Sequence, residues 1–389
     1  MTHKIKLATV CQQIRGVSYT PKDMAEIPTE GYIPILRANN IQEKLVFNEL
    51  VYVNANKISE IQLLKGGDIV VCASSGSKNL VGKAARFVSS PVDQVSFGAF
   101  CKVVRPRNID ASYLSHFFNS SYYRNTISKI AQGASINNIR NEHLDNLDIN
   151  VPTPSEQKRI AERLDKVQEL IAKQKEQIAK LDLLIKSRFL DMFGDPITNP
   201  KGWIVRQIGQ VSKIVSGTTP STQNPIYWQG NLPWLTPAEI PDNMNYINNT
   251  QRKISLKAVR DCSLRLLPRG TVILSSRAPI GKVAIAGVPL YCNQGFKNLI
   301  LDDKQMNAVF VCSLLRQRVT EIISLGRGAT FKEISKDIVS HISIYVPPLF
   351  LQNQFANFVK SVEQQKEVFS TRLSHFETLY KSLMQEYFG

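Results

Sequence analysis

The second half of this chain repeats the first half at an offset of roughly 193 to 203 residues. The matched segments keep the same order in both copies. They are 7–16 with 208–217, 31–36 with 230–235, 63–71 with 266–274, 133–135 with 328–330, 149–161 with 342–356, and 193–194 with 388–389. Because the copies follow one another along one chain, the sequence predicts two similar structural units.

Each copy divides into a globular arm and a helical tail. The arms, residues 1–154 and 195–345, contain short β-rich runs such as IVVCA, AFCKVV and TVILSS, separated by Gly, Pro, Ser and Asn. This pattern is typical of an α+β domain. The tails, residues 155–194 and 346–389, have the periodicity of long helices.

The two tails carry mostly apolar residues in alternating steps of four and three. In the first tail these positions are Leu164, Val167, Ile171, Gln174, Ile178, Leu181, Ile185, Arg188 and Met192. In the second they are Phe355, Val359, Val362, Lys366, Phe369, Leu373, Phe376, Tyr380, Leu383 and Tyr387. This repeat favours a coiled coil within the chain, although a homodimer, or two helices that each pack on their own arm, would show a similar pattern. Ser155 is the predicted N-cap of the first helix, and Gly194 its end.

The net charge of +16 is concentrated in the arms. Residues 1–154 carry +5 and residues 201–345 carry +10, whereas 155–200 carry +1 and 346–389 are neutral. Basic arms on a nearly neutral helical region indicate a protein that holds a polyanion such as DNA at two places.

Polar and basic loop residues of the arms are the candidates for DNA contact, because Arg, Lys, Asn and Gln recognise base edges while Ser and Thr bind phosphates. In the first arm they are Arg37, Asn39, Asn40, Ser74, Ser75, Ser77, Lys78, Lys83, Ser135, Asn137, Asn138 and Arg140. In the second arm they are Ser275, Ser276, Arg277, Lys282, Gln294, Lys297, Arg327, Thr330 and Lys332.

Signatures of catalysis, metal binding and membrane insertion are missing from the sequence. The six cysteines and five histidines are scattered and do not show the spacing of metal ligands. Asn224-Pro225-Ile226-Tyr227 approaches a methyltransferase motif and residues 76–83 approach a P-loop, but each lacks an essential residue. The apolar runs are too short to span a bilayer, and the N-terminus does not resemble an export signal, so we expect a cytoplasmic, non-catalytic protein.

The order of these segments, with PSEQKRIAERLDKV opening the first helix and SRFLDMFGDP closing it, resembles the specificity subunit of type I restriction-modification enzymes. The resemblance covers the whole chain. It implies an α+β fold with two pseudo-symmetric target recognition domains, separated by two long helices that form an antiparallel coiled coil.

The resemblance also implies a function and partners. The arms would each read half of an asymmetric, bipartite double-stranded DNA target, while two methyltransferase subunits and the restriction and translocation subunits bring S-adenosylmethionine, ATP and Mg. Five residues are implied in methyltransferase binding: Glu156, Gln157, Lys158, Arg159 and, in the second copy, Gln352. The alternative is a coiled-coil adaptor whose basic arms bind RNA or an acidic protein.

Overall fold

The computed structural model describes residues 3–77, 79–132, 138–240, 246–327 and 332–389. Its contacts divide the chain into two compact units. Unit 1 contains residues 1–175 and 371–389, and unit 2 contains residues 176–370. Each unit therefore holds one predicted arm together with part of each predicted long helix.

Unit 1 is built from short strands followed by helices. Its strands are β1 His3–Lys6, β2 Cys11–Arg15, β3 Met24–Ala25, β4 Tyr32–Leu36, β5 Val51–Asn54, β6 Ile69–Cys72, β7 Ala84–Arg86, β8 Ser96–Phe97, β9 Cys101–Pro106 and β10 Asp148–Val151. Its helices are α1 Ala111–Phe117, α2 Ser121–Gln132, α3 Asn141–Asp145, the first part of α4 Pro154–Phe193 and the last part of α10 Leu349–Phe388. Short 3-10 helices cover Leu7–Thr9, Pro21–Asp23, Ala38–Asn40, Ala55–Lys57 and Glu60–Gln62.

The central sheet of unit 1 has the order β2-β9-β6-β7, with antiparallel neighbours. Every residue of β6 is buried because both faces of this sheet are covered. Ile69 and Val71 pack on the side of the helices, while Val70 and Cys72 pack against a second sheet of order β3-β5-β4-β8. A separate antiparallel pair, β1 with β10, leads directly into α4.

Unit 2 repeats this plan. Its strands are β11 Val205–Gln207, β12 Ser212–Ser216, β13 Leu232–Leu235, β14 Tyr246–Ile247, β15 Arg252–Ile254, β16 Val272–Ser275, β17 Val283–Ala286, β18 Tyr291–Cys292, β19 Phe296–Leu301 and β20 Ser343–Tyr345. Its helices are the last part of α4, α5 Ile208–Val211, α6 Leu256–Asp261, α7 Ala308–Gln317, α8 Val319–Ser324, α9 Lys336–His341 and the first part of α10 Leu349–Phe388. Short 3-10 helices cover Pro225–Trp228 and Pro237–Glu239.

The sheets of unit 2 correspond to those of unit 1. The central sheet has the order β12-β19-β16-β17-β14, the second sheet has the order β15-β13-β18, and β11 pairs with β20 before α10. Alternate residues of β16 again face two different cores, with Val272 and Leu274 toward the helices and Ile273 toward the second sheet. The predicted repeat is therefore a repeat of tertiary structure.

The glycines aligned in the two copies have the same structural cause. A Cβ atom added to Gly16 would collide with the Gly98 carbonyl, and one added to Gly217 would collide with the Asn293 carbonyl. Each glycine ends or follows the edge strand of its central sheet, where the chain passes against the turn before β9 or β19. Any larger residue would push this turn away.

The two long helices begin and end close to the predicted positions. The N-cap of α4, however, is Thr153 and not Ser155. The Thr153 N–H and hydroxyl both hydrogen-bond to Glu156 Oε2, at 3.3 and 3.2 Å, and Pro154 occupies the first helical position. Gly194, with φ of +81°, ends the helix as predicted.

Within unit 1, α4 and α10 run antiparallel. Arg163 donates a hydrogen bond to the Tyr387 hydroxyl at 3.0 Å, and Gln168 donates one to the Tyr380 hydroxyl at 2.9 Å. Residue numbers therefore rise along one helix as they fall along the other. His116 of α1 joins the pair, with its ring nitrogens 2.8 Å from Asp165 Oδ1 and 3.2 Å from the Tyr380 hydroxyl.

Unit 2 shows the same antiparallel pairing. The Lys366 ammonium lies 2.7 Å from Asp182 Oδ1, and Phe189 packs edge-on against Phe355 with their ring centroids 5.5 Å apart. The helices thus pack on each other within the chain in both units, as predicted, and each also contributes to the core of an arm. No helix in the described ranges combines the length and apolar character that a membrane span needs.

Candidate DNA interface and helical partner segment

Three segments of unit 1 meet at the end of β6, in what we call the strand-end junction. The backbone N–H groups of Ala73 and Ser74 donate to the Phe100 carbonyl at 2.9 and 3.0 Å. The Ile139 N–H donates to the Ala73 carbonyl at 2.8 Å, and Ser74 forms a β-bridge with Asn138. The predicted loops after β6 and after α2 therefore lie side by side, next to the turn before β9.

Unit 2 has the same strand-end junction at the end of β16. The Ser276 N–H donates to the Gly295 carbonyl at 2.7 Å, and the Ile334 N–H donates to the Ser276 carbonyl at 2.9 Å. Arg277 forms a β-bridge with Glu333. The two junctions have matching backbones, but Ser74 and Asn138 in unit 1 are replaced by Arg277 and Glu333 in unit 2.

Many of the predicted DNA-contact residues are accessible. The exposed ones are Asn39, Ser77, Lys83, Asn138 and Arg140 in unit 1, and Arg277, Gln294, Arg327 and Lys332 in unit 2. Four more are half-buried: Arg37, Ser74, Ser75 and Lys282. Lys78, Ser135, Asn137 and Thr330 lie outside the described residues. The matched segments 133–135 and 328–330 of the repeat also lie outside them.

Asn40 has an internal role in place of the predicted DNA contact. Its side chain is fully buried and donates to the carbonyls of Val46 and Asn48 at 3.1 and 2.9 Å. The side-chain oxygen of Asn40, Oδ1, accepts the Arg37 backbone N–H at 2.8 Å. These bonds use the amide group inside the loop, so Asn40 positions neighbouring residues and is not itself available to DNA.

Three predicted residues of unit 2 are also buried. The Ser275 hydroxyl donates to the Pro279 carbonyl at 2.6 Å and accepts the Lys282 N–H at 2.8 Å. The buried Lys297 ammonium donates to the hydroxyl of Ser276, a residue of the unit 2 junction, at 3.2 Å. Ser275, Ser276 and Lys297 thus hold the loops in place, and the prediction that they touch DNA has no support in these contacts.

The predicted partner segment at the start of α4 contains both internal and accessible residues. Gln157 is buried; it accepts the Asp110 N–H at 2.8 Å and donates to the Pro152 carbonyl at 2.8 Å. Glu156 takes part in the helix cap. Lys158 and Arg159 are exposed.

Gln352 makes the equivalent contacts at the start of α10. It accepts the Asn307 N–H at 2.9 Å, and it donates to the carbonyls of Gln305 and Pro347 at 3.0 and 2.8 Å. Asp110 and Asn307 are the N-caps of α1 and α7. The glutamine shared by both copies therefore ties each long helix to its arm and is not available to a partner.

Two residues at the junctions were not among the predicted ones. Phe100, whose backbone carbonyl accepts the Ala73 and Ser74 N–H groups at the unit 1 junction, is 69% exposed. Glu333 pairs with Arg277 and Lys297. Burial raises the pKa of its carboxyl group, but hydrogen bonds from Lys297 and Arg277 outweigh this effect and hold the pKa below its usual value. In the sequence, the signal for Glu333 is its alignment with Asn138 in the repeat, since Asn138 is one of the predicted DNA-contact residues.

The described residues do not bring His, Cys, Asp and Glu together in any group of three or more that could hold a metal ion. The cysteines are free thiols, and burial raises the pKa of Cys11, Cys101 and Cys292 to about 12. Thiols with such high pKa values are poor nucleophiles near neutral pH.

A model of the type I restriction modification DNA specificity domain matches residues 3–182 and again residues 200–374. The chain belongs to this family. The two matches coincide with the two copies of the sequence repeat, and membership defines the function as DNA-target specificity within a restriction-modification complex.

Several relatives in the family are similar over part or all of the chain. The StySPI specificity subunit of Salmonella potsdam is 27% identical over 97% of this chain and 86% of its own length. The EcoKI specificity subunit of Escherichia coli K12 is 40% identical over 46% of this chain and 39% of its own length. The crystal structure of an S subunit from M. genitalium superimposes with a TM-score of 0.60 at 14% identity, covering 100% of this chain and 96% of that one, which shows a shared fold.

Proposed function

We propose that this specificity subunit reads a bipartite DNA target, with one strand-end junction for each half. The observation that carries the proposal is that one backbone arrangement occurs twice with different side chains. Ser74 and Asn138 in unit 1 correspond to Arg277 and Glu333 in unit 2. Because different side chains select different base edges, the two half-sites should differ in sequence.

The exposed charges at the junctions support this proposal. In unit 1, Lys83 lies in the loop between β6 and β7, directly before β7, and Arg140 lies two residues after the bridge residue Asn138. In unit 2, Lys332 directly precedes the bridge residue Glu333, and Arg327 forms a second bridge with Glu333. All four are exposed. Such residues neutralise phosphates and place the protein on the duplex, whereas specificity comes from contacts with base edges.

We also propose that the start of α4 contacts a methyltransferase subunit through its exposed residues. Lys158 and Arg159 are available there, whereas Gln157 and Gln352 are not, so we leave both glutamines out of the proposed surface. At the start of α10 the corresponding positions are Asn353 and Gln354. The contacts of two methyltransferase subunits would therefore differ in charge. Restriction subunits, S-adenosylmethionine, ATP and Mg belong to the remainder of the proposed complex.

The purified chain alone should neither methylate nor cut DNA, because the proposed role leaves catalysis to other subunits. The measurement is transfer of labelled methyl groups from S-adenosylmethionine to duplex DNA. Co-expression with the methyltransferase subunit of the same host should produce a stable complex that does transfer them. Methyl transfer by the isolated chain, or no association with that subunit, would contradict the proposal.

A further inference from the structure

We propose that Arg277 reads a guanine in the half-site bound by unit 2, and that Glu333 is a positioning residue that holds the Arg277 guanidinium group. The inference rests on the proposed reading of DNA by the strand-end junctions and adds the base that one of them recognises. Its basis is a set of contacts that occur in unit 2 and not at the equivalent positions of unit 1, where Ser74 and Asn138 stand.

The guanidinium group of Arg277 is held along one edge. Its Nε and Nη2 atoms both lie 2.9 Å from Glu333 Oε2. Because the group is planar, the second N–H of Nη2 and an N–H of Nη1 form an outer edge on the side that the carboxylate does not occupy. In the ranges that the structure describes, the polar contacts of this side chain are those with Glu333, and the side chain is 48% exposed. Nearly half of the side-chain surface of Arg277 is thus open to a partner.

The Glu333 carboxylate is itself held in place by a buried lysine. The Lys297 ammonium, which is 7% exposed on its side chain, lies 3.1 Å from Glu333 Oε1 and donates to the Ser276 hydroxyl at 3.2 Å. The backbone of Glu333 also forms bridges with Arg277 and Arg327. The carboxylate therefore has little freedom, and Arg277 is oriented before DNA arrives, which reduces the entropy lost on binding.

The outer edge of an oriented guanidinium fits guanine better than the other bases. Guanine presents two acceptors, O6 and N7, to the major groove, and both can accept from the two parallel N–H groups. Adenine presents one acceptor and one amino donor, so one N–H group of the arginine would face a donor. Two positive charges around Glu333 also offset the repulsion between its carboxylate and the DNA backbone.

The test is the selection of random duplexes by the complex of this chain with its methyltransferase subunit, with bound sequences counted for wild type and variants. Arg277→Ala should reduce the preference for guanine at one position of one half-site by roughly 5- to 140-fold. Arg277→Gln should shift that position toward adenine. The base preferences in the other half-site should be unchanged. Selection of that half-site by the variant serves as the internal control that its complex is assembled.

Lys332→Ala is the matched control, because it removes one exposed positive charge from the residue directly before Glu333, in the same strand-end junction. It should weaken the binding of all duplexes equally and leave base preferences unchanged. Glu333→Gln, which keeps an acceptor but loses the charge, should reduce the guanine preference at the same position by less than Arg277→Ala does. A purely structural role for Glu333 would lower the yield of complex without changing base preference.

Two results would overturn the inference while leaving the proposed function intact. The first is an unaltered motif with Arg277→Ala. The second is a uniform loss of affinity for all sequences, which would make Arg277 a phosphate contact. If the wild-type complex selected no sequence at all, the proposed function itself would fail.

Discussion

Reversing the charge of Lys83 and Lys332 together is expected to weaken DNA binding by about 60-fold at 0.1 M salt. Each lysine is exposed at the strand-end junction of its unit. One lost phosphate contact lowers the logarithmic salt slope by about 0.9, which corresponds to roughly 8-fold in affinity at this salt concentration. The double variant Lys83→Glu with Lys332→Glu should therefore also have a slope shallower by about 1.8. Titration of a labelled duplex at several salt concentrations measures both quantities.

The control is a double reversal at the opposite ends of the same strands. Lys65 precedes β6 and Arg269 precedes β16, whereas the junctions follow these strands, and both residues are exposed. Lys65→Glu with Arg269→Glu changes the net charge by the same amount. Its salt slope should stay at the wild-type value. Equal losses in the two double variants would show that the strand-end junctions do not form the DNA-binding surface.

Gln352→Ala is expected to reduce the free energy of unfolding of unit 2 by about 2 to 4 kcal/mol. The substitution leaves the Asn307 N–H and the carbonyls of Gln305 and Pro347 without their buried partner. Each unsatisfied buried group costs about 1 to 3 kcal/mol, partly relieved by water and local relaxation. Urea denaturation gives the loss, and hydrogen exchange of the α7 amides shows whether it is confined to unit 2.

Gln354→Ala is the matched control on the same helix, two residues further along. Its side chain is exposed, and alanine has a high helix propensity, so stability should change by less than about 0.5 kcal/mol. Gln157→Ala should have an effect like that of Gln352→Ala, but in unit 1. If Gln352→Ala matched the exposed control in stability and lost only the methyltransferase subunit, the glutamine would be a partner contact after all.

The repeat and the helices could be predicted because their signals are local or periodic. Apolar residues in steps of three and four indicated both long helices, and Gly194 indicated where the first one ends. The choice of N-cap was wrong because Thr153 and Ser155 both have a suitable hydroxyl. Pro154 at the first helical position and Glu156 in the capping box decide in favour of Thr153.

The individual contact residues could be predicted less well, because residue type does not show what a polar side chain binds. Asn40 and Ser276 are typical of DNA-contacting loops, yet their hydrogen bonds lie inside the protein. Gln157 and Gln352 match between the copies because both copies need the same internal bond. Residue type does not indicate Glu333 either, because an acidic residue is unfavourable next to phosphates until its cationic neighbours are known.

The reading of two half-sites by two units is tested most directly by mapping methylated bases across the genome of a host that carries this chain and its methyltransferase subunits. The expected motif has two short, different half-sites separated by unread positions, and it should disappear when the chain is deleted. A contiguous motif, two identical half-sites, or methylation that persists without the chain would contradict the proposal.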